Sequence, residues 1–154
     1  MRGYRRHVCF YAVMRRILSL PFKRLLRFQA APVPEVDGPC IIIANHNTDF
    51  DSILLGIAFP KHMYFVASEH IFRTRWLRAL LLYFLDPIAK RKGGADANTA
   101  MQMVRRLRKG CNVALFAEGN KSFDGATCPV HPATGAMVRP PAPPCLPTGW
   151  RAAT

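Results

Sequence analysis

Apolar side chains change their rhythm along this chain. Over residues 1–30 they come in clusters (Val8, Phe10, Tyr11, Val13, Met14; Ile17, Leu18, Leu20; Leu25, Leu26, Phe28) separated by arginine pairs. That spacing predicts two short basic amphipathic helices with a break at Pro21. After a loop, Ala31–Pro39, short continuous runs take over. Cys40–Ala44 (CIIIA), Met63–Ala67 (MYFVA) and Asn112–Phe116 (NVALF) are β-branched or aromatic runs of the length of buried strands, and Pro87–Lys90 is a short third in chain order. Between them lie stretches with helical spacing: Ser52–Phe59, Ile71–Leu85 and Ala95–Lys109. The last carries Met101, Val104 and Leu107 on one predicted face, with Gly110 where a helix cap belongs.

Strands alternating with helices predict an α/β fold, a mostly parallel sheet flanked by helices. Residues 1–30 form the basic amphipathic element, 31–139 the domain and 140–154 a tail. The tail (PPAPPCLPTGWRAAT) holds Pro140, Pro141, Pro143, Pro144 and Pro147, a density that predicts disorder rather than strand or helix.

Length and charge narrow the picture. At 154 residues the chain suits one domain. Its net charge of +13 calls for an anionic partner. Residues 1–30 hold eight basic side chains and no acid, the composition of a helix lying on an anionic bilayer surface; the bland alternative is a solvated helix packed on the domain. No apolar run approaches the ~18 residues of a membrane span. Five cysteines without a C-x-x-C pair argue against structural zinc or a disulfide framework, and Cys40 and Cys111 read as small buried hydrophobes. His62, beside Lys61, reads as a surface residue.

Chemistry gathers in loops beyond the carboxyl ends of parallel strands. One such loop, Asn45-His46-Asn47-Thr48-Asp49-Phe50-Asp51, places a histidine and two carboxylates between a strand and a helix. A carboxylate on one imidazole nitrogen fixes the tautomer and makes the other nitrogen a better base. Five helical residues turn through about 140°, so His46 and Asp51 meet only if the residues between them form a turn. The competing reading has Asp51 capping the next helix, and Asp49 is an alternative partner on spacing. A second loop, Phe116–Ser122 (FAEGNKS), and the cluster Lys90-Arg91-Lys92-Gly93-Gly94 offer glycine, lysine and arginine to a phosphate, as many solvated loops do.

Together these stretches resemble the glycerolipid acyltransferases, the 1-acylglycerol-3-phosphate (lysophosphatidate) acyltransferase family. The H-x4-D box is matched by His46 and Asp51 within ANHNTDFDS. The F-P-E-G-[TS]-R-S box is matched by FAEGNKS, with Ala117 for proline, Asn120 for threonine or serine and Lys121 for arginine. Arg91 stands for a separate arginine block. The likeness runs from residue 40 to about 139. It implies that His46 takes the proton of the acceptor hydroxyl, that Asp51 orients it, and that Glu118, Gly119, Lys121, Ser122 and Arg91 bind the glycerol and its phosphate. The implied partners are a lysophospholipid acceptor, acyl-CoA or acyl-carrier protein as acyl-donor substrate, and an anionic membrane surface. Neither a cofactor nor a metal is implied, and the expected location is peripheral, on the cytoplasmic face of the cell membrane.

The family continues past the second box, whereas here the proline-rich tail intervenes, so a domain incomplete at its C-terminus is expected. Two rivals remain: an inert, membrane-associated remnant, and a nucleic-acid-binding module suggested by the pI and by Val104–Lys109 (VRRLRK). The second lacks any helix-turn-helix or RRM signature.

Overall fold

The computed structural model describes residues 2–25, 36–46, 48, 50–69, 76, 79, 83–90, 97–116 and 145–148. In chain order the elements are α1 (Arg2–Leu25), β1 (Ile41–Ala44), α2 (Asp51–Ala58), β2 (Met63–Ser68), β3 (Ile88–Lys90), α3 (Ala97–Arg108), β4 (Asn112–Phe116) and β5 (Cys145–Thr148). The five strands form one sheet in the order β3-β2-β4-β1-β5, and every pairing is parallel. This is the α/β arrangement that the alternating runs predict. Most of the expected helix Ile71–Leu85 lies outside the described residues.

Period-two alternation sorts the strand side chains between two cores. Ile42, Ala44, Met63 and Ala114 join Tyr11 of α1 and Leu55 of α2 on one face. Ile41, Tyr64, Ile88, Val113 and Leu115 join Met103 and Leu107 of α3 on the other. At the amino ends of the strands Asn112 ties three segments together. Its Oδ1 accepts the Cys40 N–H at 3.1 Å and its Nδ2 donates to the His62 carbonyl at 2.9 Å. Cys40 and Cys111 are buried here, as their positions suggest.

Four expectations are corrected. Residues 2–25 form one helix that runs through Pro21, not two helices broken there. Pro21 removes the donor to the Ile17 carbonyl, but both residues are exposed, so water can satisfy that carbonyl. The buried row of α3 is Thr99, Met103 and Leu107, while Met101 and Val104 are exposed. Thr99 is tolerated in that row because its hydroxyl donates to the Ala89 carbonyl at 2.9 Å. His62 is buried, not on the surface. Finally, β5 lies inside the stretch expected to be disordered. Among the described residues it is an edge strand paired only with β1, and an edge needs donors on one side, so a proline can be accommodated.

The cap of α3 follows expectation. Gly110 adopts φ 77°, its N–H bonds the Leu107 carbonyl at 2.9 Å, and the Cys111 N–H bonds Arg106 at 3.1 Å. Those are the two bonds of a Schellman ending, which needs a left-handed residue between them.

Helix α1 packs antiparallel on α2 and finishes it. The last turn of α2 contains no basic residue of its own. Instead the Tyr11 hydroxyl lies 3.0 Å from the Gly56 carbonyl and 2.9 Å from that of Phe59, and Arg15 Nε donates to Ile57 at 3.0 Å. These side chains satisfy carbonyls that a helix end leaves open, and Arg15 also complements its dipole. Burial pushes the Tyr11 hydroxyl above the usual tyrosine range. Farther along, Leu18 and Phe22 pack on the buried pair Leu54 and Ile57 of α2.

Candidate active site

Asn45 and His46 follow β1 directly, at the carboxyl edge of the sheet. Beyond Thr48 the chain tightens: the Asp51 N–H reaches the Thr48 carbonyl at 3.3 Å, and the N–H groups of Ile53 and Leu54 bond Phe50 at 2.9 Å. This turn supplies what helical spacing alone denies. It folds Asp51 back so that its Oδ2 accepts from His46 Nδ1 at 3.0 Å.

Asp51 is held by more than the imidazole. The Thr48 N–H donates to Oδ2 at 2.7 Å and the Thr48 hydroxyl to Oδ1 at 2.8 Å. A carboxylate returning to a backbone N–H three residues earlier is one half of a capping box. The competing reading, in which Asp51 caps a helix starting at Ser52, is corrected: Asp51 is the first residue of α2, and its carboxylate reaches back to Thr48 and His46 instead. The N-cap residue Phe50 makes no side-chain cap bond. The Asp51 side chain is 2 % exposed and that of His46 is 20 %. With Nδ1 donating to the acid, the imidazole keeps its lone pair on Nε2. Among the described residues nothing bonds Nε2. A buried carboxylate on one nitrogen of a partly exposed imidazole fixed in one tautomer is the arrangement that general-base chemistry calls for.

Phe116 completes the arrangement. It ends β4 in register with Ala44, and its ring stacks on the imidazole with centroids 4.2 Å apart and planes inclined by 18°. Sequence reasoning assigned roles to neither Thr48 nor Phe116. The T-x-x-D spacing of a capping box is the signal for the first, and strand parity carried past Ala44 to His46 is the signal for the second.

Of the residues expected at the site, the structure brings His46 and Asp51 together. Asp49, the alternative partner, lies outside the described residues, as do Arg91, Glu118, Gly119, Lys121 and Ser122.

At the opposite end of the strands sits a buried histidine. His62 precedes β2 and is ringed edge-on by Tyr4, Tyr11 and Tyr64, with centroids 5.7, 5.4 and 4.7 Å away. Its Nδ1 is buried without a hydrogen-bond partner. Burial first, then the nearby His7 and Arg106, pull its pKa down to about 4. An imidazole held neutral and enclosed by tyrosines is packing, not a base.

Comparison with known proteins agrees with this architecture. The family model described as Acyltransferase matches residues 16–150. A 1-acyl-sn-glycerol-3-phosphate acyltransferase of Saccharomyces cerevisiae is 29% identical over 119 residues, which cover 75% of this chain and 37% of that protein. The chain thus spans a little over a third of that relative's length. The crystal structure of the 1-acyl-sn-glycerophosphate (LPA) acyltransferase PlsC from Thermotoga maritima superposes with a TM-score of 0.55 at 13% identity, covering 98% of this chain and 86% of that one. At that identity the likeness speaks for the fold.

Proposed function

The chain belongs to the Acyltransferase family, and on that premise we propose that it transfers a fatty acyl group from a thioester donor to the free hydroxyl of 1-acylglycerol-3-phosphate. The observation that carries this reading is the 3.0 Å bond from His46 Nδ1 to Asp51, which leaves Nε2 as the acceptor nitrogen on a partly exposed ring. Nε2 takes the proton of the acceptor hydroxyl while its oxygen attacks the thioester carbonyl. The tetrahedral adduct then collapses, the carbon–sulfur bond breaks, and the departing thiolate takes the proton back from the imidazolium. Asp51 stays ionised throughout and stabilises the imidazolium through Nδ1. Acyl-CoA and acyl-carrier protein both present the required thioester. Glu118 and Gly119 are assigned to the glycerol of the acceptor, with Lys121, Ser122 and Arg91 assigned to its phosphate. Lys121 brings charge to the phosphate without the bidentate fork of arginine.

The acceptor is a lipid, and α1 offers a surface on which to meet it. Its outward side exposes Val13, Ile17, Leu20 and Leu25 between exposed Arg16, Lys23 and Arg24. That mixture suits an anionic bilayer interface, and no described helix is long and apolar enough to cross a membrane. Peripheral attachment to the cytoplasmic face of the cell membrane follows from this reading.

The test is thiol release by the full chain from acyl-CoA and from acyl-carrier protein, with lysophosphatidate in anionic vesicles. Transfer is expected with at least one donor and should fall about 100-fold or more in His46→Ala. Co-sedimentation should be stronger with anionic than with neutral vesicles. Turnover that survives His46→Ala, or no turnover with either donor, would overturn the assignment.

A further inference from the structure

Two different parts of the His46 ring are engaged. Asp51 takes one edge, at Nδ1, and Phe116 stacks on a face, with ring centroids 4.2 Å apart and planes inclined by 18°. A single hydrogen bond along an edge leaves an imidazole free to rock about the line of that bond. A flat ring stacked against its face removes the rocking. The Phe116 ring is itself fixed. It belongs to the end of a central strand, in register with buried Ala44, and packs against the core that contains Tyr11, Ile42 and Leu55. Proton transfer to Nε2 tolerates only a narrow range of angles and distances, so the plane of the ring matters as much as its tautomer.

We infer that Phe116 is a positioning residue, whose ring holds the His46 imidazole in the plane where Nδ1 meets Asp51 and Nε2 faces outward. The kinetic consequence rests on the proposed role of His46 as the base; the control of ring orientation does not. A phenylalanine that merely filled the core would be replaced by leucine at little cost to the histidine, since leucine retains apolar bulk but has no flat face.

The experiment uses the full chain labelled with 15N-histidine and compares Phe116→Leu and Phe116→Tyr with the unaltered protein. Long-range 1H–15N spectra, recorded where the imidazole is neutral, read the tautomer of His46. The unaltered chain and Phe116→Tyr should give a single Nδ1–H tautomer, whereas Phe116→Leu should give averaged nitrogen shifts. In the transfer assay Phe116→Leu should lower kcat about ten-fold with KM for the acceptor nearly unchanged, and Phe116→Tyr should restore it. Should Phe116→Leu fail to give a folded amide spectrum, Phe116→Met replaces it with the same expected results. A leucine or methionine variant that keeps one tautomer and full kcat overturns the inference, as does a change confined to KM. A chain without transfer activity whose His46 tautomer still responds to Phe116→Leu upholds the inference while the functional reading falls.

Discussion

Two histidines lie at opposite ends of one parallel sheet, and their surroundings make them opposites. His46, at the carboxyl ends of β1 and β4, donates Nδ1–H to a buried carboxylate and exposes part of its ring. His62, at the amino end of β2, has its Nδ1 buried and unpartnered among three tyrosines. Burial alone does not make an imidazole chemical. What separates the pair is an acid on one nitrogen of a ring that stays partly exposed, and the parallel sheet provides that where strands run out into loops. The amino ends are instead stitched shut by Asn112.

This contrast can be broken from either end. The largest effect should come from Asp51→Asn. An amide at that place no longer offers two acceptor oxygens to His46 and Thr48, so the imidazole loses its fixed tautomer. The transfer rate should drop about 100-fold or more, by the usual size of acid–base contributions, while thermal unfolding changes far less. Next comes Tyr11→Phe, which strips the hydroxyl from the Gly56 and Phe59 carbonyls. It should cost about 1–3 kcal/mol of stability in denaturant melts. The smallest effect concerns His62. Its folded pKa, about 4, lies below the unfolded value of 6.5. Between those values the unfolded chain binds the extra proton, so stability falls as pH drops from about 6.5 towards 4 and the contribution is flat above that window. The loss should be on the order of 1–2 kcal/mol, allowing for partial access of water. His62→Leu should flatten this slope without moving the pH dependence of transfer. A slope unchanged by His62→Leu would place the sensitivity elsewhere.

Much of the sheet was legible because its central strands are short, largely buried apolar runs. Cys40–Ala44, Met63–Ala67 and Asn112–Phe116 announce themselves by β-branched and aromatic density, and the observed strands match within a residue. The errors share a physical cause, which is that tertiary partners overrule local signals. Pro21 reads as a break until both it and Ile17 prove to face outward. The α3 stripe reads as Met101, Val104 and Leu107 until Thr99 finds the Ala89 carbonyl and turns the helix by a fraction of a turn. His62 reads as wet beside Lys61, yet tyrosines of α1 and β2 close over it. At the site, the pairing of His46 with Asp51 depended on a turn that spacing cannot specify. Thr48 and Phe116 were marked only faintly, by a T-x-x-D spacing and by strand parity, because each acts through a contact with Asp51 or His46.

The grip of α1 on α2 has a mechanical consequence. Tyr11 and Arg15 hold the finish of α2, Phe22 meets Phe50 just ahead of its start with ring centroids 6.0 Å apart, and Asp51 is its first residue. The two anchorages are separated by eight helical residues, roughly 12 Å. A pull or tilt applied to the basic leader is therefore delivered, through a short rigid strut, to the carboxylate that aims the histidine. Shortening α1 should disturb the pairing of Asp51 with His46 as well as the end of α2.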